Sequence, residues 1–99
     1  FKNLKILYCS GNQLTCLPVL NNTLEELYCY NNKLTTVPQL NENLKILDCT
    51  NNQITELPTP NKKLQTIHCA DNRLSTVPKL TTTLTYVTCY GNMPDIKRV

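Results

Sequence analysis

A 20-residue period runs through almost the whole chain and constrains its fold more than any other feature. No insertion or deletion breaks the register between Leu4 and Asn92. A strict period of this length is typical of a solenoid, in which each repeat is one coil that packs against its neighbours. The recurring columns are Leu4, Leu24, Leu44, Leu64 and Leu84; Cys9, Cys29, Cys49, Cys69 and Cys89; Asn12, Asn32, Asn52, Asn72 and Asn92; and Pro18, Pro38, Pro58 and Pro78.

Alternation within each repeat predicts one short strand. Around residues 27–30, Leu27 and Cys29 would face one side of the strand, and Tyr28 and Tyr30 the other. Equivalent strands in successive coils would stack as a parallel sheet at about 4.8 Å per rung. The following segment, 34–38, contains β-branched residues and a proline, which favours an extended outer wall over a helix.

The repeat unit L-x-x-L-x-C-x-x-N-x-L-x-x-L-P-x-L-x-x-x resembles the leucine-rich repeat, with cysteine in the third apolar slot. Its length and its L-P-x-L tail are most similar to the short repeats of bacterial secreted effectors, and similar units occur in giant DNA viruses. The resemblance implies a mainly β, curved, right-handed coil with an extended, non-helical convex side. It also implies a binding surface on the sheet, without specifying a ligand.

We expect a single leucine-rich-repeat domain of about five repeats. Their bounds are 4–23, 24–43, 44–63, 64–83 and an incomplete 84–99, in which Pro94 occupies a core slot. Because neither end carries a polar cap, which terminal repeats need for solubility, we expect the chain to be an excerpt of a longer one, or its ends to be covered by partners.

Two columns of small polar residues predict how each coil turns off the sheet. An amide side chain has two donors and an acceptor, so we expect Asn32 and its equivalents to pair the backbone of their own turn and that of the next coil. The preceding column contains only residues that tolerate a left-handed backbone, for which we predict positive φ: Gly11, Asn31, Asn51, Asp71 and Gly91.

Five of the six cysteines form one column, which favours a buried thiol ladder. Disulfides and a metal site are the alternatives, but parallel Cβ vectors make a poor bridge and a linear stack does not converge on a tetrahedral ion. This pattern is unlike a disulfide framework and favours a reducing compartment, either the cytoplasm or a host cytosol reached by delivery. Cys16 lies off the ladder and is expected to be partly exposed.

Charge and hydropathy argue against two classes of partner. The formal net charge is +3, and we expect Lys5, Lys45 and the pair at 62–63 to lie on different faces, so no basic stripe indicates nucleic-acid binding. The apolar runs are only a few residues long, so no membrane span is predicted.

The outward face of the sheet is the candidate binding site. It is built from fifteen positions in three columns and contains all five tyrosines of the chain, with Ile6 and Ile46 as additional apolar surface. The strand propensity of tyrosine is the alternative explanation. The residues predicted to bind a protein are Tyr8, Tyr28, Tyr30, Asp48, His68, Tyr86 and Tyr90.

An enzyme is considered because Asp48, His68 and Thr88 occupy successive rungs in the order acid, base, hydroxyl. The face is open and has no oxyanion site, so a polar contact between Asp48 and His68 on a binding surface is the favoured interpretation. We predict a protein–protein interaction module that is not an enzyme and uses no cofactor or metal. The alternative is a structural protein that self-associates end to end in a larger complex or a virion.

Overall fold

Five short parallel strands form one sheet in the computed structural model, which describes residues 3–76 and 83–93. Neighbouring strands are consecutive in the sequence and pair in a register of one repeat, so that Leu7 lies opposite Leu27. The predicted parallel solenoid is confirmed. The strands are β1 (Ile6–Tyr8), β2 (Glu26–Tyr28), β3 (Ile46–Asp48), β4 (Thr66–His68) and β5 (Tyr86–Thr88).

The inward side of each strand forms the core, as the alternation predicts. The middle residue of the three inner strands is almost fully buried: Leu27 is 0%, Leu47 1% and Ile67 2% exposed. In the first and last strands the equivalent residues are only half-buried. Each inner coil is covered by a neighbour on both sides, whereas the first and last described coils are covered on one side.

The convex side contains no helix within the described residues, in agreement with the expectation of an extended wall. Backbone hydrogen bonds join successive coils there as well as in the sheet: the amide of Gln53 donates to the carbonyl of Leu34 at 2.8 Å. Leu34 and its equivalent Ile54 are fully buried behind this wall. Pro94, on which the expectation of an incomplete last coil depends, lies outside the described residues.

The turn after each strand uses a left-handed residue, as predicted. The φ angles are 57° at Asn31, 58° at Asn51 and 55° at Asp71, and both glycines of the column also have positive φ. The column is itself connected between coils, because Nδ2 of Asn51 donates to Oδ1 of Asn31 at 2.8 Å. Residues with short polar side chains can occupy this region at low cost, which explains why the column excludes other types.

The asparagine ladder forms, but it connects each coil to the preceding one, not to the next. Nδ2 of Asn32 donates to the carbonyls of Cys29 and Cys9, both at 3.1 Å, and its Oδ1 accepts from the amide of Leu14 at 3.1 Å. Asn52 repeats this arrangement one coil later. The expectation that each asparagine pairs the next coil was wrong in direction, because the backbone groups within reach of the Asn32 side chain are the Cys9 carbonyl and the Leu14 amide of the preceding coil.

A second asparagine ladder, not predicted from the sequence, lies a few residues before the strands. Nδ2 of Asn41 donates to the carbonyl of Leu24 at 2.7 Å, and Nδ2 of Asn61 donates to the carbonyl of Leu44 at 2.9 Å. At Thr83 a hydroxyl donates to the equivalent carbonyl. Side chains on both sides of β3 and β4 therefore bond the backbone beside the preceding strand, which satisfies backbone groups that the sheet leaves unpaired.

The cysteine column packs as a thiol ladder, as expected. Cys29, Cys49 and Cys69 are 0% exposed, and all six cysteines are free. Burial raises the pKa of the Cys29 and Cys69 thiols to about 12 and raises that of Cys49 well above its ordinary value. Cys16 is exposed, so it is the thiol most accessible to solvent.

Candidate binding face

The concave face is defined here as the outward side of the sheet. Its first two columns are strand residues, and the third follows each strand at the residue before the left-handed turn. Ladder hydrogen bonds continue past the third column, since the amide of Gly11 donates to the carbonyl of Tyr30 at 3.1 Å. The fifteen positions are Ile6, Glu26, Ile46, Thr66 and Tyr86; Tyr8, Tyr28, Asp48, His68 and Thr88; and Ser10, Tyr30, Thr50, Ala70 and Tyr90.

The tyrosines of this face present large ring surfaces. Tyr8 and Tyr90 are each 69% exposed, Tyr86 is 56% exposed and Tyr30 is 37% exposed, while Tyr28 is half-buried. No tyrosine hydroxyl is sealed in the core. Side chains of this type combine a rigid apolar body with a polar tip, which suits contact with another molecule.

Two positions offer less surface than the pattern suggests. Ala70 is only 1% exposed, although its column faces outward, and Ile46 is half-buried while Ile6 is 40% exposed. A methyl group is short, so larger neighbours on a packed sheet can cover it. The exposed apolar area is therefore concentrated on the rings.

Tyr8 and Tyr28 form a stacked pair at the start of the sheet. Their ring centroids are 4.7 Å apart and their planes differ by 8°, which matches the spacing of neighbouring strands. The hydroxyl of Tyr28 donates to Oε1 of Glu26 at 2.6 Å. This hydrogen bond is the main cause that raises the pKa of Tyr28 to about 12. The pair and its carboxylate form one preorganised surface.

Glu26 is a member of this surface that the sequence prediction did not include. The available signal was its spacing: residues two apart on a strand lie on the same side, so Glu26 and Tyr28 had to be neighbours. Glu26 is half-buried, and its carboxylate is held by the phenol.

A second cluster forms at the other end of the face. Nδ1 of His68 lies 3.0 Å from Oγ1 of Thr88. The His68 ring also meets the ring of Tyr86 edge to face, with centroids 5.4 Å apart and an interplanar angle of 75°. The structure thus brings together His68 and Tyr86, which were predicted to bind a protein, and Thr88, which was not. Tyr30 and Tyr90 make no ring contact among the described residues.

Asp48 does not complete a relay with His68. Its Oδ1 accepts from the amide of Thr50 at 3.1 Å, and no hydrogen bond or ion pair between Asp48 and His68 occurs among the described residues. The expected polar contact between these two side chains was therefore wrong. The carboxylate satisfies its own strand end first, because that partner is fixed two residues away.

The buried and outward columns also keep potential metal ligands apart. His68 faces outward, whereas Cys69 is fully buried. Within residues 3–76 and 83–93, the structure brings together no three histidine, cysteine, aspartate or glutamate side chains that could hold a metal ion. The same part of the chain has no helix of the length and apolarity that crossing a membrane requires.

Two lysines lie beside the face rather than on different sides of the molecule, contrary to expectation. The Nζ atoms of Lys5 and Lys45 lie 3.7 and 3.8 Å from the carboxylate oxygens of Glu25. Lys5, Glu25 and Lys45 are 20 residues apart and so occupy one column, at the residue before each of the first three strands. Their ion pairs involve Glu25, and neither involves Glu26.

The family model described as Leucine Rich repeats (2 copies) matches residues 2–42, 22–62 and 42–82. The chain belongs to the leucine-rich repeat family. This confirms the resemblance read from the repeat unit, and leucine-rich repeats typically serve as non-enzymatic modules for protein interaction.

Two solved structures of bacterial proteins share the fold of this leucine-rich-repeat chain. The leucine-rich repeat domain of a Shigella effector is 33% identical with a TM-score of 0.90, and the match covers 93% of this chain and 42% of that one. YopM from Yersinia enterocolitica WA-314 is 32% identical with a TM-score of 0.86, and the match covers 96% of this chain and 24% of that one. The chain thus spans less than half the length of either protein. A comparison with curated proteins gave no match.

Proposed function

We propose that this leucine-rich-repeat chain binds a protein partner through its concave face and catalyses no reaction. The observation that carries the proposal is the concentration of all five tyrosines on this face, four of them more than a third exposed. Tyrosine is enriched among the residues that dominate binding energy in protein interfaces. The hydrogen-bonded sheet beneath the face fixes the backbone that carries these side chains, which lowers the ordering cost of binding.

The contacts within the face support recognition over catalysis. The Asp48 carboxylate is occupied by a backbone amide and is not joined to His68, so the successive acid, base and hydroxyl do not form a relay. In the triad arrangement an acid orients the base, and no described carboxylate does so for His68. Family members typically act as interaction modules, which agrees with this interpretation.

The test uses peptide binders selected from a displayed library on the unmodified chain. Binding is then measured to Tyr30→Ala and to a double variant, Tyr28→Ala with Tyr30→Ala. The control double variant, Thr35→Ala with Thr36→Ala, changes exposed side chains of the same coil away from the face. We expect most independent binders to lose more than about tenfold in affinity with the tyrosine variants and less than about twofold with the control.

Stability measurements keep this test interpretable. Tyr30 is only 37% exposed, so Tyr30→Ala will lower the urea midpoint somewhat, and a loss of binding counts as a loss of contact only when the variant is fully folded under the binding conditions. Binders that tolerate both tyrosine variants would contradict the proposal.

End-to-end stacking of copies is the second candidate, and one observation favours it. The first coil has an apolar cavity of about 220 Å³, and beside it Val19 is 92% exposed. Its lining residues are Leu4, Leu7, Leu17, Pro18, Val19, Leu20, Asn21 and Leu24. Solution mass measured against concentration discriminates the two functions. Growing oligomers that Val19→Asp disperses would favour stacking, and a monomer at every concentration would exclude it.

A further inference from the structure

Charge is distributed unevenly between the concave face and the rest of the chain. Of the fifteen face positions, two are acidic, Glu26 and Asp48, and none is lysine or arginine. The ten basic residues and the other five acidic residues all occupy other positions, which leaves the face at −2 and the remaining sequence at +5. A face of opposite sign to its protein favours a cationic group on the partner.

The two acidic residues flank an aromatic ring with one uncovered side. One side of the Tyr28 ring stacks on Tyr8, and the other is turned toward β3, where the residue in register is Asp48. Asp48 is much shorter than a tyrosine, so no third ring continues the stack. The next ring along the column belongs to His68, which pairs in register with Asp48 from the other side.

The space above Asp48 has the size of one planar group. Tyr28 and His68 are two strands apart in register, so their backbone positions are separated by about 9–10 Å along the column. A flat group between them, at ordinary contact distances of about 3.5–4.0 Å from each ring, needs about 7–8 Å. We call this space the Asp48 gap, with Tyr28 and His68 as its walls, Asp48 as its floor and Glu26 at its rim.

Both carboxylates retain capacity for a cation. Oδ1 of Asp48 accepts from the amide of Thr50, and Oε1 of Glu26 accepts from the phenol of Tyr28. Among the described residues neither carboxylate takes part in an ion pair, since the two lysines beside the sheet pair with Glu25. The second oxygen of each group is therefore available to a donor.

The geometry points to an arginine side chain of the partner protein as the occupant of the Asp48 gap. Guanidinium is planar, stacks on aromatic rings and donates several hydrogen bonds in one plane, which matches walls of two rings and a carboxylate floor. A lysine ammonium supplies the charge without the plane, so it would use the gap less well. This inference rests on the proposed function of the concave face and specifies the chemistry of its partner.

The direct test uses N-acetyl-arginine-N-methylamide as a probe, followed by changes in backbone amide resonances. The neutral, nearly isosteric N-acetyl-citrulline-N-methylamide is the matched control for charge. We expect saturable shifts in the arginine titration at the amides of Tyr28, Asp48 and His68, and no saturable shift with citrulline. Equal binding of the two probes, or arginine shifts confined to other residues, would overturn the inference.

Two aspartate variants test the floor of the gap. Asp48→Asn keeps Oδ1 for the Thr50 amide but removes the charge, so it should weaken arginine binding about tenfold, the loss expected for one charge-assisted hydrogen bond. Asp71→Asn removes a charge in the turn column, where Asn31 and Asn51 already adopt the same backbone, so it should change binding by less than about twofold. Equal effects of the two variants would refute a role for Asp48.

Peptide binders separate this inference from the proposed function. Tyr30 lies outside the gap, so binders that Tyr30→Ala weakens identify use of the concave face whatever occupies the gap. Within that set we expect Asp48→Asn, and replacement of a peptide arginine by citrulline, each to weaken binding about tenfold. Binders that need Tyr30 but neither Asp48 nor arginine would refute the arginine site and leave concave-face binding intact.

Discussion

Replacing Asn52 by alanine should lower the free energy of unfolding by about 2–5 kcal/mol. Oδ1 of Asn52 is the only described acceptor for the amide of Leu34, a residue with no exposed surface, and orphaning that donor costs about 1–3 kcal/mol. Nδ2 of Asn52 also donates to the carbonyls of Cys29 and Cys49 at 3.1 and 3.0 Å. Each carbonyl keeps a bond from another asparagine of the ladder, so each loss adds only about 0.5–1 kcal/mol.

Asn12→Ala is the matched control for this prediction. Asn12 is exposed, and its Nδ2 donates only within its own turn, to the carbonyls of Cys9 and Ser10 at 2.9 and 3.3 Å. We expect this variant to lose about 1 kcal/mol or less. Urea unfolding followed by circular dichroism, analysed by linear extrapolation, compares the two. If Asn52→Ala is no less stable than Asn12→Ala, the bonds between coils contribute nothing and the reasoning is refuted.

Two further predictions concern titratable groups. A thiol reagent at pH 8 should modify the exposed Cys16 in the folded protein. Buried Cys49, with its raised pKa, should react only after unfolding. Equal rates of modification at the two cysteines would contradict the assignment of Cys49 to the core. Difference titration against Tyr28→Phe should show one phenol with a pKa of about 12, which Glu26→Gln returns toward 10. Because the pKa of Tyr28 is higher in the folded state than in the unfolded state, the stabilising Tyr28–Glu26 contact is complete below pH 10 and is lost as the pH rises through about 12. An unchanged titration curve in Glu26→Gln would exclude the hydrogen bond as the cause of the raised pKa.

The repeat and the facing of its side chains could be predicted from the sequence for a specific physical reason. Side chains on a strand alternate with a period of two, so one buried column fixes the facing of its neighbours: with Cys29 inward, Tyr28 and Tyr30 must be outward. Positive φ at Asn31 followed equally directly, since few residue types tolerate it. These features depend only on local geometry, which a strict period repeats in every coil.

Features that depend on how neighbouring coils lean against each other could not be predicted. The period gives Asn32 a neighbouring coil on each side, and it does not specify that the side chain bonds the preceding one. The same limit applies to Asp48, which is near both Thr50 and His68 by position but bonds only Thr50.

Internal repetition also distinguishes what folding requires from what it leaves free. Folding restricts the residue types at inward and turn positions: the columns of Cys29 and Asn32 are invariant over five copies, and the column of Leu27 contains only leucine, isoleucine and valine. The column of Tyr28 instead contains tyrosine, aspartate, histidine and threonine, although its backbone is the same in each strand. Since the scaffold does not determine these residues, the absence of any lysine or arginine from the fifteen face positions is not a consequence of the fold. A cationic partner gives that distribution a physical reason, because like charges on the face would repel it.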